Sequence, residues 1–511
     1  MYYPNEATMT VEKIDAENKG WRSHGHRLTG FFAGMLGLLL LSSCIAVGPD
    51  YAPPDIKTPD DWRSGQDPAL VPDQSVTVDW WATFEDPLLD QYIEQAGRNN
   101  LDIRQAVSRI REARASLGAA RGAWWPEANA KGSAIRQRSS ENGMYSTGGK
   151  TETLYNTGLD ASWEIDLFGR IRRSVEAAQA DYQASEEDRR DVLISVFAEV
   201  ARTYFDIRTY QARLAAAQGN IESQQQVLKL TRSRFRNGLA TGLDVAQAEQ
   251  VLAASQAEIP PLQVGLTRSV NTLAVLLGQA PGSLSEQLEK PAPIPVPPAR
   301  VAVGVPADLL RQRPDIRRAE RQLAAQTARI GVATADLYPS LSLSGTFAFE
   351  AIDAGNLLKG SSRAFGFGPT LRWMLFDGGR VRAQIAVQDA KTEQALLSYE
   401  QSVLEALNEV ENALSQYLNQ RNRLSALERS VQAAQRSLKL ATRLYRDGLV
   451  DFQNVLDAQR SLFDNENQLA AARGDTSIYL VQLYKTLGGG WNPADNLQTG
   501  KTADNTPEEN K

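Results

Sequence analysis

A mainly α-helical fold, built twice over with a small β part in each copy, is what this sequence predicts. Three observations carry the prediction: a long self-repeat, two proline-free stretches whose apolar residues recur at alternating steps of four and three, and short intervening segments whose apolar residues recur at every second position.

The repeat organises the rest. Trp163, Gly169, Arg170 and Arg172 return as Trp373, Gly379, Arg380 and Arg382, and Leu228, Arg236, Gly238, Val245 and Leu252 return as Leu438, Arg446, Gly448, Val455 and Leu462, all at an offset of 210 residues. Upstream, Leu101-Asp102-Ile103-Arg104 and Trp125-Pro126 match Pro314-Asp315-Ile316-Arg317 and Tyr338-Pro339 at an offset of 213, so a three-residue slip falls between Pro126 and Trp163, as suits a loop tip. Two copies of one structural unit follow: repeat 1 over residues 86–290 and repeat 2 over 305–490. A connector at 291–304, rich in proline from Pro291 to Pro298, joins them, and a polar tail at 491–511 is expected to be disordered.

Residues 1–43 read as a secretory signal. Arg22, His24, His26 and Arg27 precede an apolar run from Leu28 to Leu41, too short for an ordinary membrane span, and Leu41-Ser42-Ser43-Cys44 closes it. That tetrapeptide, which carries the sole cysteine, resembles the bacterial lipobox, in which the cysteine becomes the lipidated first residue; a plain signal followed by an incidental thiol is the competing reading. On the first reading residues 44–85 are a lipid-anchored extended segment, and resemblance to bacterial lipoproteins implies, from Ile45 in place of an aspartate, sorting to the outer membrane.

Composition excludes several function classes. The net charge is -6, from 55 basic and 61 acidic residues well mixed along the chain, so no basic stripe is available for nucleic acid. Both histidines fall in the signal, which leaves the mature chain without the common general base and without the common soft metal ligands. With no GxSxG, no GxxxxGK[ST] and no Gly-rich dinucleotide fingerprint, the expectation is a protein that is not an enzyme and takes no cofactor.

Within each copy the long helical stretch shows a seven-residue rhythm. In the first it runs through Leu193, Phe197, Val200, Tyr204, Ile207, Leu214, Ala217, Ile221, Leu228 and Phe235; in the second through Val403, Leu407, Val410, Leu414, Tyr417, Leu424, Leu427, Val431, Ala434, Leu438, Ala441 and Tyr445. Such a rhythm imposes coiled-coil packing, and at 1.5 Å per residue each run would reach roughly 100 Å. The runs stop at the glycines of Arg236-Asn237-Gly238-Leu239 and Arg446-Asp447-Gly448-Leu449, and helical periodicity resumes in return legs from about Leu243 to Leu277 and about Phe452 to Leu487. Pro260-Pro261 breaks the first return leg, where the second has Ala470-Ala471, so the two copies cannot bend alike.

The period-two segments form a hairpin at about 126–163 and another at about 340–375. Tyr155, Thr157, Leu159, Ala161 and Trp163 alternate with Asn156, Gly158, Asp160 and Ser162, while Leu341, Leu343, Phe347 and Phe349, then Phe365, Phe367, Leu371 and Trp373, alternate with small or polar residues. Four strands with open edges cannot sit in lipid, and spanning barrels start at about eight. Either the hairpins are soluble, or several chains pool their strands; three chains would give twelve, with the helices assembling into a hollow cylinder.

At this point the layout resembles the TolC-like outer-membrane channel family, in particular its lipoprotein branch of NodT or OprM type. The resemblance rests on Cys44, Gly48-Pro49-Asp50-Tyr51, Pro53-Pro54, Asp79-Trp80-Trp81, Arg313-Pro314-Asp315-Ile316-Arg317, Tyr338-Pro339, Leu375-Phe376-Asp377-Gly378-Gly379 and Leu456-Asp457-Ala458-Gln459-Arg460, in that order around a duplicated hairpin. It implies a homotrimer with a 12-stranded β-barrel in the outer membrane and a long α-helical barrel in the periplasm, docking at its far end to an adaptor protein and an inner-membrane pump.

The resemblance also implies where a gate would lie. The tips, residues Arg236 to Leu239 and Arg446 to Leu449, would meet the adaptor, and Asp244 would bond Tyr445 as a latch, against the plainer reading that Asp244 caps its helix and Tyr445 is a core residue. The family's second latch is absent, since Val450 stands where its arginine would be and Leu243 faces it; of the family's aspartate ring, Asn454 and Asp457, only Asp457 is charged. The functional expectation is a passive exit duct for drugs and small amphipathic compounds. A duct for type I protein secretion and a coiled-coil scaffold lipoprotein without a pore are the alternatives.

Overall fold

The computed structural model describes residues 46–65, 67–71, 77–142 and 149–491; Cys44, the signal and the polar tail lie outside them. A two-residue strand, β1 (Leu70–Val71), pairs in parallel with β4 (Val301–Ala302), and the remaining elements follow the repeat. Copy one runs α1 (Pro87–Asn99), α2 (Leu101–Gly122), β2 (Glu127–Arg138), β3 (Thr151–Ile165), α3 (Arg170–Arg236), α4 (Gly242–Ala257) and α5 (Ile259–Leu276). Copy two runs α6 (Pro314–Ala335), β5 (Ser340–Ala351), β6 (Arg363–Arg372), α7 (Arg380–Arg446) and α8 (Phe452–Thr486). Both long helices are 67 residues. The heptad rhythm, with no proline inside either run, accounts for their length.

Boundaries follow from local chemistry. Asp86 starts α1 by accepting from the amides of Leu88 (2.9 Å) and Leu89 (3.3 Å), with Pro87 in the first turn, where its missing N–H costs nothing. Gly238 and Gly448 end α3 and α7 at φ 69° and 74°, a left-handed conformation that side chains resist. The first return leg is two helices, α4 and α5, because Pro260 and Pro261 lack the amides an unbroken helix would need and fit only a new first turn; α8 has no such break. Trp373, read as a strand position, falls just past the end of β6.

Equivalent residues do equivalent jobs in the two copies. Trp163 Nε1 donates to the Trp124 carbonyl (2.9 Å), and Trp373 Nε1 donates to the Leu337 carbonyl (3.1 Å). Asn100 donates to the carbonyl of Leu276 near the end of its return leg (2.9 Å), as Arg313 does to that of Thr486 (2.9 Å).

Compactness cuts across the repeats. One unit gathers the described residues through Ala52 with Ala115–Ala180 and Ala324–Glu393; the other gathers Pro53–Arg114, Asp181–Leu323 and the described residues from Gln394 onward. The reason is topological, since the strands of each copy pair with those of the other. In the first unit β2, β3, β5 and β6 form one antiparallel sheet in that order.

The second unit is held by an aromatic core. Trp80, 1% exposed, stacks on Tyr484 (5.5 Å between centroids), Trp81 meets Phe197 (5.3 Å) and Phe84 meets Phe205 (4.8 Å), so the Asp79-Trp80-Trp81 stretch is structural and truncating Trp80 would cost about 3–5 kcal/mol. Nearby, buried Arg313 forks onto Asp315 (2.6 and 3.0 Å) and reaches Glu409 (2.9 Å). Burial alone would pull the Asp315 carboxyl up, but hydrogen bonding to Arg313 and that residue's charge hold it below its ordinary range.

Candidate functional sites at the hairpin tips and the sheet

At the tips, a cluster of Val227, Leu228, Ala248, Val251, Tyr445, Phe452, Val455 and Leu456 joins the outward and return legs of both copies. The turns that leave it are built alike: the Gly238 amide donates to Phe235 (3.0 Å) and that of Gly448 to Tyr445 (3.1 Å). Arg236, Asn237, Arg446 and Asp447 are exposed, and so are three leucines, Leu239 at 64%, Leu243 at 65% and Leu449 at 71%. Val450 packs on the cluster, whereas Leu243 is not part of it.

The expected latch is not made here. Asp244 closes a capping box with Thr241, accepting from its amide (2.8 Å) while its own amide donates to the Thr241 hydroxyl (3.2 Å). Tyr445 is buried, at 4% exposure, and its hydroxyl has no hydrogen-bond partner among the described residues; the nearby Thr231 hydroxyl donates to the Val227 carbonyl (3.0 Å). Burial pushes the Tyr445 phenol up, the charge of Asp244 adds to this, and Thr231 and Arg234 oppose it. Asp457 is exposed and accepts from Gln453 Nε2 (2.9 Å); Asn454 is likewise exposed.

What ties the two tips together is Arg234, which the sequence reading passed over. Its guanidinium donates to the Arg446 carbonyl beside the second turn (2.7 Å) and to the Leu239 carbonyl after the first (3.4 Å), and lies over the Tyr445 ring at 4.7 Å. A basic residue in the last turn of a helix is favoured by the helix dipole anyway, so it carried no distinguishing signal, and copy two has Leu444 at the equivalent position.

The sheet is two-faced. Along one face lie Ala128, Ala130 and Ala134 of β2, Tyr155, Leu159 and Trp163 of β3, Leu341, Leu343, Phe347 and Phe349 of β5, and Phe365, Phe367 and Leu371 of β6; directly opposed pairs include Trp163 with Leu343 and Phe347 with Phe365. Leu159, Phe365, Phe367 and Leu371 on this face are 59, 74, 84 and 63% exposed. The other face is polar, with Lys131 paired to Asp160 (2.9 Å) and Asn156 donating to Glu350 (2.7 Å). Among the described residues no strand lies beside the outer edges of β2 and β6. No helix among the described residues is long and apolar enough to cross a membrane, a statement that does not bear on strands.

At the foot of this sheet the stretch from Val47 to Asp50 is strapped down. Arg173, its side chain 5% exposed, donates to the carbonyls of Val47 (3.1 Å) and Gly48 (3.2 Å) and to the carboxylates of Asp50 (2.7 Å) and Glu176 (2.8 Å). Gly48, at φ +89°, lies so close to Gly331 that a Cβ on it would sit 2.4 Å from the Gly331 Cα. This contact gives the Gly48-Pro49-Asp50 stretch a physical role. Among the described residues no group of three or more His, Cys, Asp or Glu side chains is arranged to hold a metal ion.

Comparison with known proteins agrees with this architecture. The sequence matches the family described as outer membrane efflux protein over residues 92–279 and 305–489. It is 36% identical to nodulation protein T of Rhizobium leguminosarum bv. trifolii over 456 residues, covering 89% of this chain and 96% of that protein. It is 34% identical to the probable efflux pump outer membrane protein TtgC of Pseudomonas putida over 460 residues, covering 88% and 94%. The solved structure of the outer-membrane channel OprN superposes with a TM-score of 0.82 at 38% identity, covering 88% of this chain and all of that one.

Proposed function

Because the chain belongs to the outer membrane efflux protein family, whose members are channels and not enzymes, we propose that it is the outer-membrane duct of a tripartite efflux system. Three copies pool twelve strands into one barrel, the helices form a hollow extension into the periplasm, and drugs or small amphipathic compounds leave passively, driven by an inner-membrane pump through a periplasmic adaptor. The observation that carries the reading is the four-stranded sheet with one apolar face, one polar face and two unpaired edges. Unpaired edges cannot face lipid, so the sheet must be completed by other copies before it can enclose water. The name of the relative from Pseudomonas putida favours efflux as the cargo class.

On this reading the tips are both gate and docking surface. Arg234 holds the two turns of one chain together, the exposed Leu239, Leu243 and Leu449 offer an adaptor apolar surface ringed by Arg236, Asn237, Arg446 and Asp447, and the unpartnered Tyr445 hydroxyl is free to latch onto Asp244 when the capping box yields. Three copies of Asp457 around the axis repel one another and favour cations at the constriction. Cys44 is acylated, three residues upstream of the strapped segment.

The test is purification from the membrane in detergent with mass measurement, then planar-bilayer recording, with mass spectrometry of the native N-terminus. A trimeric mass, discrete conductance and an acylated Cys44 are expected. A monomer that is freely soluble without its acyl group and conducts nothing would overturn the duct.

A further inference from the structure

We propose that the rim of the sheet remote from the helices binds the phosphate groups of lipid A, the glycolipid of the outer leaflet, through Arg136 and Arg138 of β2 and Arg363 of β6. This rests on the duct reading above, which sets the apolar face against lipid and the helices in the periplasm. The two ends of that face differ. Each strand leads to a helix at one end, through Glu127, Ile165, Ser340 or Arg372, and to a loop at the other. At the helix end the face finishes in Trp163 and Trp373, whose indole N–H groups are taken by backbone carbonyls. At the loop end the same alternation runs from Ala128, Ala130 and Ala134 into Arg136 and Arg138, and from Leu371, Phe367 and Phe365 into Arg363. Thr153 and Thr151 of β3 stand directly opposite Arg136 and Arg138, so guanidinium and hydroxyl donors share one patch.

The spacing between the rims is that of a bilayer. Arg363 lies ten residues along β6 from Trp373, and Arg136 faces Thr153, which lies ten residues along β3 from Trp163. At about 3.3 Å per residue and a tilt near 45°, ten residues rise about 23 Å, against an apolar band about 25 Å tall. With the tryptophans at one boundary of the hydrocarbon, the arginines therefore stand at the other, where lipid phosphates lie. An arginine on a lipid-facing strand is costly at the midplane and tolerated at that level.

The internal duplication shows that folding alone does not call for these charges. Both hairpins close in one register, Glu127 opposite Ser162 and Ser340 opposite Arg372. Yet the residues of β5 equivalent to Arg136 and Arg138 are Phe349 and Ala351, and the residue of β3 equivalent to Arg363 is Thr153. Nearby carboxylates leave the patch cationic. Glu152 and Glu350 fall on the opposite face, and Asp353 accepts from the Gly355 amide (2.9 Å). Glu141 meets Arg138 at 3.3 Å with the two side chains 65 and 67% exposed, a screened contact that a dianion can displace. All three arginines are exposed, and Arg363 Nε donates to the Gly360 carbonyl (3.0 Å), which anchors its guanidinium at the rim. Planar forks bind phosphate bidentately, and two of them beside two hydroxyls suit the doubly charged monoesters of lipid A better than the single charge of a phospholipid diester.

The test strips the full-length trimer of lipid in detergent, adds lipid A, dephosphorylated lipid A or phosphatidylglycerol, and counts bound lipid by native mass spectrometry. The proteins are the unaltered chain, Arg136→Gln/Arg138→Gln/Arg363→Gln, and Arg372→Gln as a control on the polar face at the helix end. Lipid A is expected to bind the unaltered protein roughly tenfold or more tighter than either other lipid, the triple variant to lose that preference and Arg372→Gln to keep it. Equal binding of phosphorylated and dephosphorylated lipid A overturns the proposal, as does a preserved preference in a trimeric triple variant. Equal binding of phosphatidylglycerol overturns it too, by marking a patch for any anionic lipid. Should the triple variant fail to assemble, the three lipids compared on the unaltered protein decide the matter. These failures leave the duct standing, whereas a monomeric mass for the unaltered protein overturns both.

Discussion

Replacing Arg234 with alanine isolates the contact that binds the two tips of one chain. The charged hydrogen bond to the Arg446 carbonyl at 2.7 Å is exposed and stabilises by about 1 kcal/mol, and the stacking over Tyr445 adds about 0.5–1 kcal/mol. The 3.4 Å contact to Leu239 adds little. A loss of up to about 2 kcal/mol shifts the ratio of tied to untied tips by up to roughly 30-fold. In planar bilayers Arg234→Ala should therefore raise the open probability of the resting channel by an order of magnitude, and hydrogen exchange should quicken across residues 239–243. Arg234→Lys keeps the charge over the ring but not the planar fork, so its effect should be intermediate. An Arg234→Ala trimer of normal mass with unchanged open probability and exchange would refute the reasoning.

Further outcomes follow from the same geometry. Asp244→Ala removes half of the capping box, costs about 1 kcal/mol and should raise closed-state conductance; if Tyr445→Phe does the same, the hydroxyl is used in the resting assembly, and no change in either variant removes the latch. Asp457→Ala should weaken block by divalent cations roughly threefold or more, and unchanged block places the charged ring elsewhere. The Asp315 carboxyl is held below its ordinary 3.8, so the stability of its pair with Arg313 is complete above that pH and is lost as pH falls through the lowered value. Asp315→Asn should flatten the acid limb of melting temperature against pH, and an unaltered limb would show that the pair contributes nothing.

The helices and strands were legible because both announce themselves by period, and duplication supplied each assignment with a second witness. The stops at Gly238 and Gly448 and the break at Pro260-Pro261 were legible because backbone rules decide them locally. Two things were not. Arg173 contacts Val47, Gly48 and Asp50 across more than a hundred residues of chain, and neither its spacing nor its type marks it. Arg234 has no counterpart in copy two, where Leu444 stands, so the duplication does not mark it. The Asp244–Tyr445 latch came from family likeness, which carries residue types but not the local rivalry between a latch and a capping box.

The interrupted return leg has a mechanical corollary. α8 is laced to α7 by Ser430 to Asn465 (2.8 Å), Gln435 to Glu466 (3.0 Å), Arg473 to Glu428 (3.2 Å) and Gln420 to the Ala472 carbonyl (3.1 Å), so the two behave as a single stiff beam. α4 is tied to α3 by Arg232 to Glu249 (2.6 Å) and by Gln224 to Ser255 (2.9 Å), and the second tie ends just short of the joint at Glu258, beyond which α5 is held by packing through the buried Leu262, Val270, Leu273 and Ala274. Effort applied at the tips meets a jointed strut on one side and an unbroken one on the other, so any dilation should be lopsided within each chain.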